Sequence, residues 1–297
     1  MARLRDKTVL PSRSFSAYAG PITIGAGYAV SKILVIRWWD TSLVLQIDFK
    51  LFVIAGIFLG ILIRPIAQRI YWQRHTGFLV MTSTLLLMGP LGSISEWMLW
   101  EQDIELLFWT IVLPEIIPML VVSLLASLIL TPPQSHLTLS SMGKRLLPLL
   151  SWSWFFHVCL GAGIYTFLFV CFRILPESVS SFDAYWNNLT IFFTSPASAW
   201  IQKILYLWVR GIVLIVAILP VYIVIRGKMH ELTLIFGSLL FVVADFLPIF
   251  ANIYGRFPYE LIDQIIQKLF IDFIFCYTIV LLFKKLPLST LQKGTSW

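Results

Sequence analysis

Eight apolar stretches divide this chain, and most of its lysines and arginines fall on one side of them while most acids fall on the other. A run of about 20 apolar residues is long enough to cross the hydrocarbon core of a bilayer as a helix, and a helix satisfies its own backbone hydrogen bonds in lipid. The pattern predicts an all-α polytopic membrane protein with about eight transmembrane helices. The expected spans lie near 16 to 36, 50 to 70, 77 to 98, 105 to 130, 147 to 172, 204 to 226, 231 to 253 and 261 to 283.

The composition excludes a soluble domain. Hydrophobic residues make up 59% of the chain and charged residues only 12%, so an aqueous surface could not be covered with polar groups. The formal net charge of +7 is accounted for by basic loops, and no basic stripe interleaved with aromatics on a folded soluble domain points to nucleic acid. The expected partners are therefore the lipid bilayer and proteins within it, and no nucleic acid.

The distribution of basic residues also predicts the orientation. Cytoplasmic loops of membrane proteins carry an excess of lysine and arginine. A cytoplasmic N-terminus with eight spans places 14 of the 22 basic residues inside and most acids outside. We therefore expect a protein of the bacterial plasma membrane with both termini in the cytoplasm. The inner basic residues are Arg3, Arg5, Lys7, Arg13, Arg64, Arg69, Arg74, Lys144, Arg145, Arg226, Lys228, Lys284, Lys285 and Lys293.

The expected organisation is a single membrane domain with short tails. A basic tail covers 1 to 15, the transmembrane domain 16 to 283, and a second tail 284 to 297, with an outer interfacial connection over 174 to 203. The first span is the least certain, because it contains Pro21 and Lys32 and a re-entrant segment would also fit. Removing it would place the basic N-terminus outside, so the charge distribution favours eight spans over seven.

The two halves of the chain, 16 to 130 and 147 to 283, show signs of an internal repeat. At an offset of 155, Gly56 matches Gly211 and Pro65 matches Pro220. Four spans per half would give parallel repeats about an axis along the membrane normal. Chance is the competing explanation, since the chain contains 16 glycines and 15 prolines.

Ionisable residues inside the spans are the best functional indication. A charge at the bilayer centre costs on the order of 3 kcal/mol and is tolerated where it faces the bundle interior or water. Counted along the helices at about 1.5 Å per residue, these residues lie within one layer of roughly 10 Å in the outer half of the membrane. They are Glu115, Arg210, Asp245, Lys268 and Asp272, with Lys32 nearer the outer surface.

Several pairings follow from these depths. Arg210 and Asp245 lie at similar depth on consecutive antiparallel spans, which predicts a salt bridge between them. Lys268 and Asp272 are four residues apart and share a helix face. Glu115 has no evident cationic partner nearby and is flanked by prolines that bend the helix. We therefore expect it to be the acid that exchanges a proton.

Interrupted helices accompany these charges. The third span is expected to break within 88 to 93, where Gly89, Pro90 and Gly92 follow one another. Discontinuous helices that converge with ionisable groups near mid-membrane are typical of transporter binding sites. The competing interpretation is that the charges form ion pairs whose only task is to hold the helices together.

A histidine inside the fifth span completes the candidate pathway. His157 fits a hydrogen-bonded packing residue or a proton carrier. Haem ligation is disfavoured because His75, His136 and His230 all fall in predicted cytoplasmic connections. No cofactor or metal site is indicated.

Three functions remain open from the sequence. The first is a small-solute or ion permease, with Glu115, Arg210, Asp245, Lys268, Asp272 and His157 along its substrate or ion pathway. The second is a non-catalytic membrane subunit of a larger complex. The third is a membrane-embedded lipid-modifying enzyme, which the absence of a Walker, HExxH or GxSxG motif makes the weaker hypothesis.

Overall fold

The computed structural model describes residues 13–39, 49–69, 73–92, 94, 112–130, 152–174, 197–222, 225, 228–247 and 258–284. Eight helices make up nearly all of these residues. These residues contain no strand. The helices are α1 (Arg13–Trp39), α2 (Phe49–Arg69), α3 (Arg74–Leu86, continued by Leu87–Leu91), α4 (Leu113–Ile129), α5 (Trp152–Phe169, continued by Val170–Ile174), α6 (Ala197–Tyr222), α7 (Met229–Leu240, continued by Phe241–Phe246) and α8 (Pro258–Lys284).

Five of these helices are long and apolar enough to cross a membrane. The apolar segments are Ala19–Trp38, Trp152–Phe172, Ile201–Tyr222, Met229–Phe246 and Gln264–Phe283. The first expected span, which the sequence left least certain, is among them. Shorter apolar segments, Phe52–Ala67 and Leu113–Ile129, lie in α2 and α4. The prediction of a multi-span helical protein is confirmed, and the count of eight spans stays a prediction.

The outward faces of the helices are as apolar as the core. Phe58, Phe156, Phe167 and Phe270 are each at least half exposed, while the opposite faces bury leucine, isoleucine and valine in one continuous core. A helix that is apolar on all sides needs an apolar surrounding. The bundle therefore presents its surface to lipid.

Close backbone contact between α1 and α2 depends on small residues. Gly56 and Gly60 lie one turn apart on α2, and a Cβ added at either would lie 2.6 Å from the carbonyl oxygen of Gly25 or 2.7 Å from that of Pro21 on α1. This spacing of two glycines is the small-residue pattern of close helix pairs in membranes. A side chain larger than hydrogen at these positions would push α1 and α2 apart.

The same kind of contact joins α5 and α6. A Cβ added at Gly211 would lie 2.8 Å from the Cα of Ala162, and Trp208 Nε1 donates to the carbonyl oxygen of Cys159 at 3.2 Å. The sequence matches Gly56 to Gly211, and the structure places both at crossings between neighbouring helices.

Helix contacts follow one pattern in the two halves of the chain. In the first half, α1 packs on α2 and α4, and α3 packs on α4. In the second half, α5 packs on α6 and α8, and α7 packs on α8. Between the halves, α2 contacts α7 and α3 contacts α6. The contact of α2 with α4 has no equally strong counterpart among the described residues.

Three helices widen into π-helical turns. Leu87–Leu91 in α3, Val170–Ile174 in α5 and Phe241–Phe246 in α7 adopt this geometry. The break expected within 88 to 93 is therefore wrong in form, because the helix continues through Pro90 as a wider turn. The widened turns of α3 and α7 contact each other across the two halves.

Two expected boundaries also differ. Helix α6 begins at Ala197 rather than near 204, so the end of the expected interfacial connection belongs to the helix. The rest of that connection, 175 to 196, lies outside the described residues, as do 1 to 12 and 285 to 297 of the two tails.

Candidate functional site in the second half of the bundle

Four of the intramembrane charges meet where α6, α7 and α8 converge. Arg210 Nη2 donates to Asp245 Oδ1 at 3.1 Å, and Lys268 Nζ donates to the same oxygen at 2.6 Å. Asp272 lies one turn beyond Lys268 and interacts with both cations and with the Asp245 carboxyl group. We call Arg210, Asp245, Lys268 and Asp272 the four-charge cluster.

The four-charge cluster is almost entirely removed from solvent and lipid. Relative exposure is 0% for Arg210, 3% for Asp245, 5% for Lys268 and 1% for Asp272. Buried ions require paired charges and hydrogen bonds to offset their lost solvation. The two cations and two carboxyl groups supply that compensation to each other, so the cluster has no net charge when both acids are ionised.

Aromatic rings complete the surroundings of Arg210. Its guanidinium carbon lies 5.8 Å from the ring centroids of both Tyr165 and Phe169 on α5. Tyr165 also packs edge-on against Phe275 of α8, with ring centroids 5.0 Å apart. A cation over two aromatic faces gains electrostatic attraction in a dry site, so α5 also stabilises the guanidinium.

The predicted salt bridge between Arg210 and Asp245 is confirmed. Lys268 and Asp272 interact, as expected for residues on one helix face, and Lys268 also donates to Asp245 on the neighbouring helix. Asp245 thus accepts from two cations. This leaves Asp272 Oδ2 without a hydrogen-bond partner within the described part of the chain.

Glu115 lies in a separate group of polar side chains between α1 and α4. Its Oε1 forms a salt bridge with Lys32 Nζ, and Tyr28 Oη lies 3.5 Å from its Oε2. All three residues are buried. The prediction that Glu115 lacks a cationic partner is therefore wrong.

The partners of Glu115 were missed because they are distant in sequence. Lys32 and Glu115 are 83 positions apart, and local spacing cannot bring α1 beside α4. A signal was nevertheless present, because Lys32 lies one turn after Tyr28 and would be costly in a span without a partner acid.

The widened turn of α3 lies between the two polar groups. A Cβ added at Gly89 would lie 3.6 Å from the Met119 side chain of α4 and 3.3 Å from that of Val243 on α7. Met119 is one turn from Glu115, and Val243 is two residues from Asp245. The charges that were predicted to lie at one depth therefore form two groups, one between α1 and α4 and one among α6, α7 and α8.

His157 lies apart from both groups. Its Nδ1 is in hydrogen-bond contact with the carbonyl oxygen of Ser153, and its ring contacts those of Phe156 and Phe283. Phe283 is eleven residues along α8 from Asp272, which is about 16 Å in a helix. The structure therefore places His157 at another level of the bundle from the four-charge cluster.

A helical bundle that is apolar outside and holds charged side chains inside defines a polytopic membrane protein. The chain matches no protein-family model, no curated protein and no solved structure.

Proposed function

We propose that this chain is a small-solute or ion permease whose polar site is the four-charge cluster. The observation that carries the proposal is the near-complete burial of four charged side chains from three helices. Replacing a buried ion pair by well-packed apolar residues is often neutral or stabilising. Two pairs in one place therefore point to a function rather than to stability alone.

The widened turns of α3 and α7 support this proposal. Asp245 lies within the widened turn of α7, which contacts the widened turn of α3. Single π-helical turns occur frequently at functional sites, because they shift the register of backbone and side chains within a helix. Irregular helices that converge on ionisable groups are also the arrangement found in transporter sites.

An internal repeat is the second support, and we propose that residues 16 to 130 and 147 to 283 are parallel four-helix repeats. The offset of 155 that relates Gly56 to Gly211 also relates Arg74 to Met229, which begin α3 and α7. In residue numbering, the same offset also aligns the widened turns of these two helices to within one residue. Internal repeats of this kind are a feature of many transporter folds.

Transport is best tested in proteoliposomes adsorbed on a solid-supported membrane, where solute-driven charge movement is recorded. The panel consists of monovalent cations, monovalent anions, amino acids and sugars. We expect at least one class to give a current with the wild-type protein. The double variant Lys268→Met/Asp272→Asn, which removes one positive and one negative charge, is expected to abolish it.

Tyr277→Phe is the matched control, because Tyr277 lies on α8 close to Asp272 but is half exposed on the outer face. Its current is expected to equal that of the wild type. If the double variant and the wild type give equal currents, the four-charge cluster is not part of the transport site. The absence of any current, together with a stoichiometric protein partner after purification in mild detergent, would favour the membrane-subunit function.

A further inference from the structure

The two carboxyl groups of the four-charge cluster are not equivalent. Asp245 Oδ1 accepts hydrogen bonds from both Arg210 and Lys268. Asp272 is 1% exposed, interacts with the Asp245 carboxyl group, and has an Oδ2 atom with no hydrogen-bond partner in the described chain. Asp245 thus accepts from both cations, whereas Asp272 keeps a buried oxygen atom without a donor in the described chain.

Two carboxylates in contact within a site of low dielectric repel each other strongly, and one proton shared between them relieves the repulsion. The proton goes to the group whose ionised form receives less hydrogen bonding. We propose that Asp272 is a reversible proton-binding site. The proposal rests on the proposed permease function and deepens it, because it names the proton as the coupling ion.

The charge balance of the step is simple. A proton from water adds to the Asp272 carboxylate and forms a neutral carboxylic acid, which can donate a hydrogen bond to Asp245. The four-charge cluster then changes from zero net charge to one positive charge. A change of a full charge in a buried site alters the free energy of whatever solute or helix arrangement the site holds, which is the property that coupling requires.

The groups that face Asp272 come from every helix around it. Asp245 faces it from α7 and Arg210 from α6, while Lys268 and Cys276 lie one turn away on α8 itself. Helix α5 contributes Tyr165, whose ring contacts Phe275 and the guanidinium of Arg210. The Asp272 carboxyl group is thus surrounded by two positive charges and one negative charge.

Infrared difference spectroscopy of the purified full-length chain tests the proposal without any knowledge of the solute. The carbonyl stretch of a protonated carboxylic acid is recorded while the pH is stepped from about 5 to about 9, the range in which buried carboxyl groups have been found to titrate. We expect a band that disappears as the pH rises in the wild type. It is expected to be absent in Asp272→Asn.

The matched control is the charge-balanced double variant Lys32→Met/Glu115→Gln, which removes the buried acid of the other half. Its titrating band is expected to remain unchanged. Loss of the band in this control, or its persistence in Asp272→Asn, would overturn the assignment to Asp272. If Asp272→Asn does not fold, Asp272→Glu provides the test. A glutamic acid at this position is expected to shift the frequency of the band. An unshifted band would overturn the assignment.

Transport currents separate the failure of this proposal from the failure of the permease function. If the wild type carries a solute and Asp272→Asn shows the same pH dependence of the current, Asp272 is not the coupling site although the permease function stands. If the infrared band belongs to Asp272 but the wild type carries no solute of the panel, the proton site stands and the permease function is wrong.

Discussion

Among the residues that the structure describes, the buried charged side chains are grouped with charges of opposite sign. Glu115 is held by Lys32 and Tyr28 from α1, and Asp245 by Arg210 and Lys268 from α6 and α8. Removing one member of a buried pair leaves an uncompensated charge, whereas removing both leaves none. The two groups differ, because Asp245 accepts hydrogen bonds from two cations and Glu115 forms its salt bridge with Lys32.

Glu115→Gln is expected to destabilise the protein by about 3–5 kcal/mol, since it leaves the Lys32 ammonium buried without a counter-ion. The double variant Lys32→Met/Glu115→Gln is expected to recover most of that loss. Thermal unfolding in detergent measures both. A double variant that is as unstable as the sum of the two single variants would contradict the pairing.

Removal of Asp245 is expected to be more harmful than removal of Arg210, because Asp245 accepts from two cations. Asp245→Ala leaves Arg210 and Lys268 against the single acid Asp272, whereas Arg210→Ala leaves one cation with two acids that can share a proton. The double variant Arg210→Ala/Asp245→Ala leaves the balanced pair of Lys268 and Asp272, and we expect it to be more stable than Asp245→Ala alone. Urea unfolding followed by tryptophan fluorescence would show the order, and equal losses in the two single variants would argue against the shared acceptor.

At the scale of helices, the packing depends on backbone contacts at glycine. Gly25, Gly56 and Gly60 bring α1 against α2, and Gly211 brings α6 against α5. Gly163 on α5 is different, because a Cβ there would meet nothing within 4 Å. The described helices thus contain glycines at close backbone contacts as well as Gly163, which has open space beside it.

Gly211→Ala and Gly163→Ala form a matched pair of substitutions. Alanine improves helix propensity by up to about 1 kcal/mol at either site, but at Gly211 its methyl group would overlap the backbone of Ala162, and such overpacking costs about 1–3 kcal/mol. We expect Gly211→Ala to lower the melting temperature and Gly163→Ala to leave it unchanged or slightly raised. If both variants behave alike, the close approach of α5 and α6 is not important for stability.

At the scale of the whole molecule, the proposed repeats and the distribution of basic residues predict the same topology. In parallel repeats, helices at corresponding positions run in the same direction. The offset of 155 relates His75 near the start of α3 to His230 near the start of α7, and both side chains are exposed. The distribution of basic residues predicts that both starts lie in the cytoplasm.

Single cysteines introduced in a cysteine-free background test this topology. His75→Cys and His230→Cys are expected to resist an impermeant thiol reagent in intact cells and to react after the membrane is opened. Lys50 lies near the start of α2 and is also exposed. Because this end of α2 is predicted to lie on the outer side of the membrane, Lys50→Cys is expected to react from outside. Labelling of only one of the two histidine positions from outside would exclude parallel repeats, and labelling of both would invert the orientation.

Much of the fold was predictable from particular segments of the sequence. The helices formed by Phe49–Arg69 and Pro258–Lys284 agree with their expected spans to within a few residues, because apolar length is a local property. The salt bridge of Arg210 with Asp245 was predictable because consecutive antiparallel helices bring equal depths together. The partner of Glu115 was not predictable in this way, because α1 and α4 are not consecutive.

The sequence by itself determined that this chain forms apolar helices and belongs in a membrane, because every backbone group in lipid must find its partner within its own segment and the required apolar length can be read residue by residue. Only the tertiary structure decided which charges meet. Lys32 reaches Glu115 and Lys268 reaches Asp245 because α1 packs on α4 and α7 packs on α8. Which helices pack together is a property of their combined surfaces and not of any one segment.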